Sequence, residues 1–380
     1  MIYLDHAATS ALDPVVLAAM EAALREPTGN PSALHAAGRA AQARIEAARA
    51  QVAALVQAEP ESIVFTSGAT ESDNLAILGA ARAAHARGRH VMTVKTEHRA
   101  VLDAVSALAR EGFSTTVLKP DREGLLAPSV IEQAIRPDTT LLSVMLVNNE
   151  TGVIQDIASI AAVCGRRGVL LHVDAAQAVG RVPFSVATLG ADLVSLASHK
   201  IHGPIGVGAL YVRHHPRPAL MPLFFGGGQE GALRPGTVAV HQIVGMGMAY
   251  AQAHALAAQE IPRLAGLTAR LWQRLEALPA VYLNGSAMHR APHILNVSFA
   301  GVDGEALRYA LPELAVSSGS ACSAGDPESS YVLRALGRED ALANASLRFS
   351  VGRTTTADEI DRAAQAVMAA VTRLRALAPV

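Results

Sequence analysis

Short runs of consecutive apolar residues alternate with longer segments of helical spacing between residues 60 and 213. Near-continuous apolar runs are typical of strands that are covered on both faces. The seven predicted strands are Ser62–Thr66, His90–Lys95, Ser114–Leu118, Leu141–Val147, Val169–Val173, Leu193–Ala197 and Gly208–Val212. The intervening segments, such as Glu71–Arg87, Arg99–Arg110 and Ile157–Arg167, predict amphipathic helices. This alternation predicts an α/β fold with an open, mostly parallel, seven-stranded sheet covered by helices.

Beyond residue 240 the alternation ends, and the pattern predicts a smaller α+β domain. A helical region of roughly 240–279 leads out of the sheet. The predicted elements that follow are strands at Val281–Leu283, Ile294–Ser298, Leu314–Ser317 and Leu347–Ser350 and a helix at Ala357–Leu377. We therefore predict a large domain of residues 15–255 and a small domain formed by residues 1–14 and 256–380.

Composition and charge narrow the possible functions. The 380 residues are 51% hydrophobic and carry a net charge of −1 without a basic tail or block, so we expect a small substrate and no nucleic acid. The two cysteines, Cys164 and Cys322, exclude a disulfide scaffold and fit a reducing cytoplasm. Residues 1–6 do not resemble a signal peptide, and no apolar run approaches the roughly 20 residues of a membrane span.

The first predicted strand leads into a turn that suits an anion. Gly68 permits a tight turn, and Ala69 and Thr70 would open a helix whose unpaired N–H groups favour negative charge. When this segment is taken alone, an ordinary helix cap is the favoured interpretation.

Further polar residues follow the other predicted strands, namely His98, Asn149, Glu150, Asp174, His199 and Lys200. Each alone is typical of a loop residue that caps a helix or faces water. Since carboxyl ends of parallel strands meet at one edge, we expect these side chains to converge. Pyridoxal phosphate uses such a set: a helix N-terminus for phosphate, a lysine for the aldehyde and a carboxylate for the ring nitrogen. A metal site is the competing interpretation, but no metal-ligand spacing supports it, so we expect no metal.

Longer motifs resemble a known family across essentially the whole chain. They are Tyr3–Thr9, Gly29–Ser32, Phe65–Asn74, Thr96–His98, Val147–Gly152, His172–Asp174, Ser198–Lys200 and Val316–Cys322. These motifs resemble those of the cysteine desulfurases, class V members of the aminotransferase superfamily with pyridoxal-phosphate fold type I, of the bacterial housekeeping and nitrogen-fixation type. Because the sequence ends at Val380, the resemblance also leads us to expect no long scaffold-docking tail.

The resemblance implies a role for each matching residue. Lys200 carries pyridoxal 5'-phosphate as a Schiff base, Asp174 pairs with its ring nitrogen, and His98 stacks on the ring and passes protons. The remaining implied cofactor contacts are Ala69, Thr70, Asn149, Gln177, Ser198, His199 and Thr237, the last contributed by the second subunit of a homodimer. Ser198 follows Ala197, which replaces the family's usual serine or threonine. Asn149 and Arg348 hold the substrate carboxylate, which matches the planar arginine fork.

Cys322 distinguishes the implied activity from others of the same class. It lies in the Ser- and Gly-rich segment Ser317–Gly325, which the pattern predicts to be a loop on the small domain. A thiolate is the nucleophile that sulfur abstraction requires. A lone cysteine is more often a small buried side chain, and that description fits Cys164 in its predicted helix.

The resemblance therefore implies removal of sulfur from L-cysteine, giving L-alanine and a Cys322 persulfide. The acceptor would be a protein of iron–sulfur cluster assembly or of tRNA thiolation. A selenocysteine lyase, a transaminase or epimerase of the same class, and a noncatalytic scaffold subunit remain alternatives.

Overall fold

The computed structural model describes residues 1–26, 29–318 and 329–377. The strands are β1 Ile2–Tyr3, β2 Ile63–Thr66, β3 His90–Val94, β4 Ser114–Leu118, β5 Thr139–Met145, β6 Leu170–Asp174, β7 Leu193–Ala197, β8 Gly208–Val212, β9 Val281–Leu283, β10 Ile294–Phe299, β11 Leu314–Ala315 and β12 Ser346–Ser350. The helices are α1 Pro14–Arg25, α2 Ala36–Val56, α3 Ala69–Ala83, α4 Arg99–Arg110, α5 Pro128–Ala134, α6 Ile157–Arg167, α7 Val186–Leu189, α8 Val240–Leu275, α9 Gly304–Tyr309, α10 Tyr331–Ala335, α11 Asp340–Asn344 and α12 Ala357–Leu377.

Seven strands form one sheet in the order β2-β8-β7-β6-β5-β3-β4. Neighbours from β7 through β6, β5 and β3 to β4 run parallel, whereas β8 is antiparallel to both β7 and β2. The predicted α/β class with a mostly parallel seven-stranded sheet is confirmed. Because β8 is reversed, its amino end lies beside the carboxyl ends of the other strands.

Side chains alternate between the two faces of this sheet, and both faces are buried. On β3, Val91 packs in the layer with α3 and α4, while Met92 packs in the layer with α2 and α6. Burial on both faces explains why the strands are nearly continuous apolar runs.

The smaller part of the fold has its own hydrophobic core. A three-stranded antiparallel sheet, β12-β10-β9, packs with α12 and the second half of α8, and Ile2 and Leu4 join the same cluster. β1 pairs in parallel with β11, which joins the N-terminal segment to this smaller part of the fold.

The division at residues 255 and 256 stays a prediction, supported by the separate cores. The border falls inside α8, a continuous helix of 36 residues that contains Pro262. None of the helices within the described ranges is both long and apolar enough to cross a membrane.

Most predicted strands differ from the structure by one or two residues. The larger shift is at β5, which begins at Thr139 rather than Leu141 and ends at Met145 rather than Val147. Met145 is the last strand residue because the chain then turns: the Leu146 N–H bonds to the oxygen of Asp174 and Val147 forms an isolated bridge with Ile154.

Candidate functional site

A cavity of about 400 Å³ lies at the carboxyl ends of the parallel strands. The predicted residues Ala69, Thr70, His98, Asn149, Asp174, Gln177, His199, Lys200 and Arg348 all line it. The convergence expected from the strand ends is therefore present in the structure.

One wall of the cavity is the turn between β2 and α3. Gly68 has φ 155° and ψ 177°, a conformation that only glycine adopts readily, and α3 begins at the next residue. β8 approaches this turn so closely that a Cβ on Gly208 would lie 2.6 Å from the Cα of Gly68. The first residues of α3, Ala69 and Thr70, line the cavity, so the N-terminus of a helix lies where an anion site would need it.

Asp174 ends β6 and is almost fully buried at the cavity wall. Its Oδ1 accepts a 2.8 Å hydrogen bond from the N–H of Ala176. Burial raises the pKa of the Asp174 carboxyl, and the Ala176 bond and the charges of His98 and Lys200 oppose that shift. A proton-bearing cationic ring nitrogen is the partner that such a buried carboxylate would favour.

Two more carboxyl groups, Asp73 and Glu97, lie buried near Asp174 and were not predicted as site residues. Burial, followed by the charge of Asp174, raises the pKa of Asp73 well above its usual range. Burial also raises the pKa of Glu97 well above its usual range, with a smaller contribution from Asp174. Both residues lie inside motifs that carry the family resemblance, Phe65–Asn74 and Thr96–His98, and this position could have identified them as candidate site residues.

His172 completes this buried layer as a neutral ring. Its Nδ1 lies 2.8 Å from Ser143 Oγ and its Nε2 lies 2.9 Å from Ser195 Oγ. Burial lowers the pKa of His172 to about 3. The ring therefore adds no positive charge beneath Asp174 at neutral pH.

Lys200 follows β7 and lines the cavity. Its Nζ donates a 2.5 Å hydrogen bond to the backbone oxygen of Ala7, which also accepts a 2.7 Å bond from Gln177 Nε2. His199 Nδ1 lies 3.1 Å from Thr9 Oγ1. Burial, aided by the charge of Lys200, lowers the pKa of His199 to about 4, so this ring is neutral at pH 7.

Arg348 on β12 extends from the small sheet into the cavity wall. Nη1 donates to the backbone oxygen of Asn149 at 2.8 Å, and Nη2 donates to Asp5 Oδ1 at 2.8 Å. The Nε of Arg348 and the Oδ1 of Asn149 are buried and have no hydrogen-bond partner among the described residues. These two atoms retain bonding capacity for a ligand.

His98 caps α4 and also lines the cavity. Its Nδ1 accepts a 3.2 Å hydrogen bond from the N–H of Ala100. The capping role that the sequence left open therefore coexists with a position beside Asp174 and Lys200.

Three predicted residues are placed apart from this cavity or lie outside the description. Ser198 is fully buried, and its hydroxyl has no partner within the described part of the chain. Thr237 lines a neighbouring cavity of about 170 Å³ that shares Ser67, Gly206 and Val207 with the first. Cys322 lies outside the described residues. The roles assigned to all three stay predictions.

The lining residues fit pyridoxal phosphate chemically. The N-terminus of α3 suits the phosphate, Asp174 suits the ring nitrogen, and Lys200 supplies an amine in the same cavity. The unused Nε of Arg348 suits the carboxylate of an amino acid. Within the described ranges, no group of three or more His, Cys, Asp and Glu side chains is arranged to hold a metal ion.

Comparison with known proteins gives the family. The model of the class-V aminotransferases matches residues 2–363. The chain belongs to the class-V aminotransferase family. This family uses pyridoxal phosphate, which agrees with the cofactor expected from the strand-end residues.

Curated members of the family align over the entire chain. The cysteine desulfurase IscS of Photorhabdus laumondii is 52% identical over 381 residues, covering 100% of this chain and 94% of that protein. IscS of Escherichia coli has the same identity and coverage. The resemblance to cysteine desulfurases is thus confirmed.

Solved structures of similar proteins share the fold. A NifS-like protein superimposes with a TM-score of 0.91 at 32% identity, covering 98% of this chain and 100% of that one. The structure of SspA in complex with cysteine superimposes with a TM-score of 0.82 at 34% identity, covering 94% of this chain and 100% of that one.

Proposed function

We propose that this protein is a cysteine desulfurase that converts L-cysteine and an acceptor thiol into L-alanine and a persulfide. Full-length identity of 52% to IscS proteins supports this activity. The observation that carries the site is the placement of Lys200, Asp174 and Arg348 on one cavity. The alternative of a noncatalytic subunit is disfavoured because the groups that would hold the cofactor and the substrate carboxylate, Lys200, Asp174 and Arg348, all line this cavity.

The cofactor supplies an electron-accepting ring that stabilises negative charge at the substrate Cα. Ala69, Thr70 and His199 would bind the phosphate at the N-terminus of α3, and Asp174 would hold a proton at the ring nitrogen. His98 would stack on the ring, and Gln177 would hydrogen-bond to the ring hydroxyl.

Arg348 and Asn149 bind the substrate carboxylate, which orients the Cα proton toward Lys200. The Nζ of Lys200, as a free amine, removes this proton and later returns one to the carbon skeleton. The 2.5 Å hydrogen bond from Nζ to the backbone oxygen of Ala7 supports this role, because it holds Nζ at the wall of the cavity.

Cys322 attacks the substrate Sγ as a thiolate. A new S–S bond forms while the substrate Cβ–Sγ bond breaks, and the electron pair of that bond stays with carbon, where protonation gives alanine. The sulfur remains on Cys322 as a persulfide until an acceptor thiol removes it.

The partners that we propose follow from this product. A sulfur-acceptor protein of iron–sulfur cluster assembly, as the IscS relatives indicate, or of tRNA thiolation takes the persulfide sulfur. We further propose a cytoplasmic homodimer in which Thr237 of one subunit reaches the phosphate of the other. Thr237→Ala should weaken cofactor binding in the dimer, and unchanged cofactor affinity would contradict this role.

The decisive experiment is sulfide release from L-cysteine by the purified holoenzyme in the presence of a reducing thiol. We expect one alanine for each sulfide, and we expect Cys322→Ser to bind cofactor and cysteine without releasing sulfide. Robust release by Cys322→Ser would refute the assignment of the acceptor. Keto-acid-dependent amino transfer without sulfide would instead identify a transaminase.

A further inference from the structure

Asp5, which is partly exposed, forms a charge pair with the buried arginine that we propose to bind substrate. Its Oδ1 accepts hydrogen bonds from Arg348 Nη2 at 2.8 Å and from Ser317 Oγ at 2.9 Å. Ser317 Oγ lies 3.1 Å from the same Nη2, so the three groups form a closed triangle. Asp5 reaches this position because residue 5 pairs with Ser350 at the end of β12.

The three nitrogen atoms of the Arg348 guanidinium differ in their hydrogen bonding. Nη1 and Nη2 are bonded to protein oxygens, whereas Nε, in the same plane, is buried without a partner in the described part of the chain. Arg348 lines the cavity and Asp5 is not among the lining residues, so the Asp5 carboxylate contacts the guanidinium from outside the cavity lining.

Such an arrangement fixes orientation. An arginine side chain has several rotatable bonds, and its fork recognises a carboxylate only when the plane is correctly turned. The side chain of Arg348 is 3% exposed, so solvent does not compensate its charge, and Asp5 is the carboxylate that the structure places against it. Removing one partner of a buried pair leaves the other charge uncompensated and free to turn toward a new acceptor.

We propose that Asp5 is a positioning residue that holds the Arg348 fork in the plane required to bind the α-carboxylate of the substrate. This inference rests on the proposed function, since it assigns Arg348 to the carboxylate of an amino acid.

The test compares ligands with and without a carboxylate. For Asp5→Ala holoenzyme we expect the KM for L-cysteine and the Kd for L-alanine, read from the cofactor absorption spectrum, to rise about tenfold while kcat changes less than about threefold. Binding of cysteamine, which has the amine and thiol but no carboxylate, should be unchanged. Equal loss of cysteamine and alanine binding would show a general defect of the site and overturn the proposal.

Two variants separate orientation from charge and folding. Asp5→Asn keeps an acceptor oxygen on the same stem, so its Kd for L-alanine should stay within about threefold of the wild type. A loss equal to that of Asp5→Ala would overturn the orientation role. If Asp5→Ala does not fold, Ser317→Ala replaces it as the test, because this change removes the third group of the triangle. Ser317→Ala should weaken L-alanine binding about threefold and leave cysteamine binding unaffected. Unchanged L-alanine binding by Ser317→Ala would then overturn the proposal.

Asp358→Ala is the matched control, because Asp358 is exposed on α12 and pairs only with its neighbour Arg362 within the described residues. It should bind both ligands as the wild type does. A wild-type enzyme that releases no sulfide but binds L-alanine would refute the proposed function alone. An active wild type whose carboxylate affinity does not depend on Asp5 would refute this inference alone.

Discussion

The Nζ of Lys200 lies 2.5 Å from the backbone oxygen of Ala7, a residue 193 positions earlier in the chain. Ser10 strengthens this relationship, since its hydroxyl donates a 3.2 Å bond to the backbone oxygen of Lys200. The N-terminal segment therefore forms part of the wall that orients the amine. A lysine fixed by backbone contacts is preorganised for attack on an aldehyde.

Replacing this lysine should remove the covalent link to the cofactor. For Lys200→Ala we expect no cofactor fixed to the protein after borohydride reduction and a fall in sulfide release of at least about 10³-fold, because both nucleophile and base are lost. Mass spectrometry of the reduced protein measures the link. Lys95→Ala, at an exposed position after β3, serves as the control and should retain both properties. Borohydride-fixed cofactor in Lys200→Ala would contradict the assignment.

The buried acid Glu97 predicts a dependence of stability on pH. Its Oε1 accepts a 2.9 Å bond from the Met145 N–H, and its raised pKa favours the protonated form in the folded state. In the unfolded chain the Glu97 carboxyl ionises near the ordinary glutamate pKa of about 4.3. Glu97 therefore lowers the stability of the fold progressively as the pH rises from that value toward its folded-state pKa.

Glu97→Gln mimics the protonated acid and should remove that dependence. We expect the Tm of the holoenzyme above pH 6 to rise on the order of 2 °C relative to the wild type, and the two curves to converge toward pH 4.5. Thermal unfolding between pH 4.5 and 8.5 measures this difference. Glu305→Gln changes an exposed acid in α9 and should leave the curve unaltered. A Glu97→Gln protein that is less stable than the wild type at pH 8 would argue that Glu97 is ionised.

The two cysteines should differ sharply in reactivity. Burial, with a smaller contribution from Asp192, raises the pKa of the Cys164 thiol to about 12, so it contains almost no thiolate at pH 8. We expect iodoacetamide to modify one cysteine in the native wild type and none in Cys322→Ser, as read by intact mass.

Cys164→Ala should retain sulfide release and lose about 1 kcal/mol of stability through the small cavity that it leaves. Alkylation of Cys164 in the native protein would contradict its buried position in α6.

Adding a single methyl group to β8 tests whether its close approach to the turn between β2 and α3 matters for cofactor binding. In Gly208→Ala the new Cβ would meet backbone atoms of Gly68 and Leu196 at 2.6–2.7 Å, so the turn must move. We expect cofactor affinity to fall at least about tenfold, since misplaced N–H groups bind phosphate poorly.

Gly165→Ala is the matched control in α6, where an added Cβ meets no atom within 4 Å. It should keep cofactor affinity and gain up to about 1 kcal/mol from better helix propensity. Cofactor affinity in Gly208→Ala equal to that of Gly165→Ala would refute a role for this contact.

The strands and the strand-end residues were predictable because their signals are local. Buried parallel strands need apolar side chains on both faces, and Asp174 and Lys200 stand directly after two of them. The reversed direction of β8 was not predictable, because a short apolar run has the same composition in either direction. The buried positions of Asp73 and Glu97 were missed because polar residues in a helix or after a strand are usually exposed.

The amino-acid sequence alone predicted the fold class through its short-range periodicity, and the polar residues at the strand ends indicated the cofactor chemistry, whereas the role of each residue was implied by the resemblance of its motifs to a known family. Only the tertiary structure decided that Asp5 accepts a hydrogen bond from Arg348 and that the backbone oxygen of Ala7 accepts one from Lys200. These partners are separated by 343 and 193 positions, and such contacts depend on how β1 joins β11 and how residue 5 meets β12. Long-range pairing of this kind is a property of the packed chain, because no local pattern records which distant segment will fill a given space.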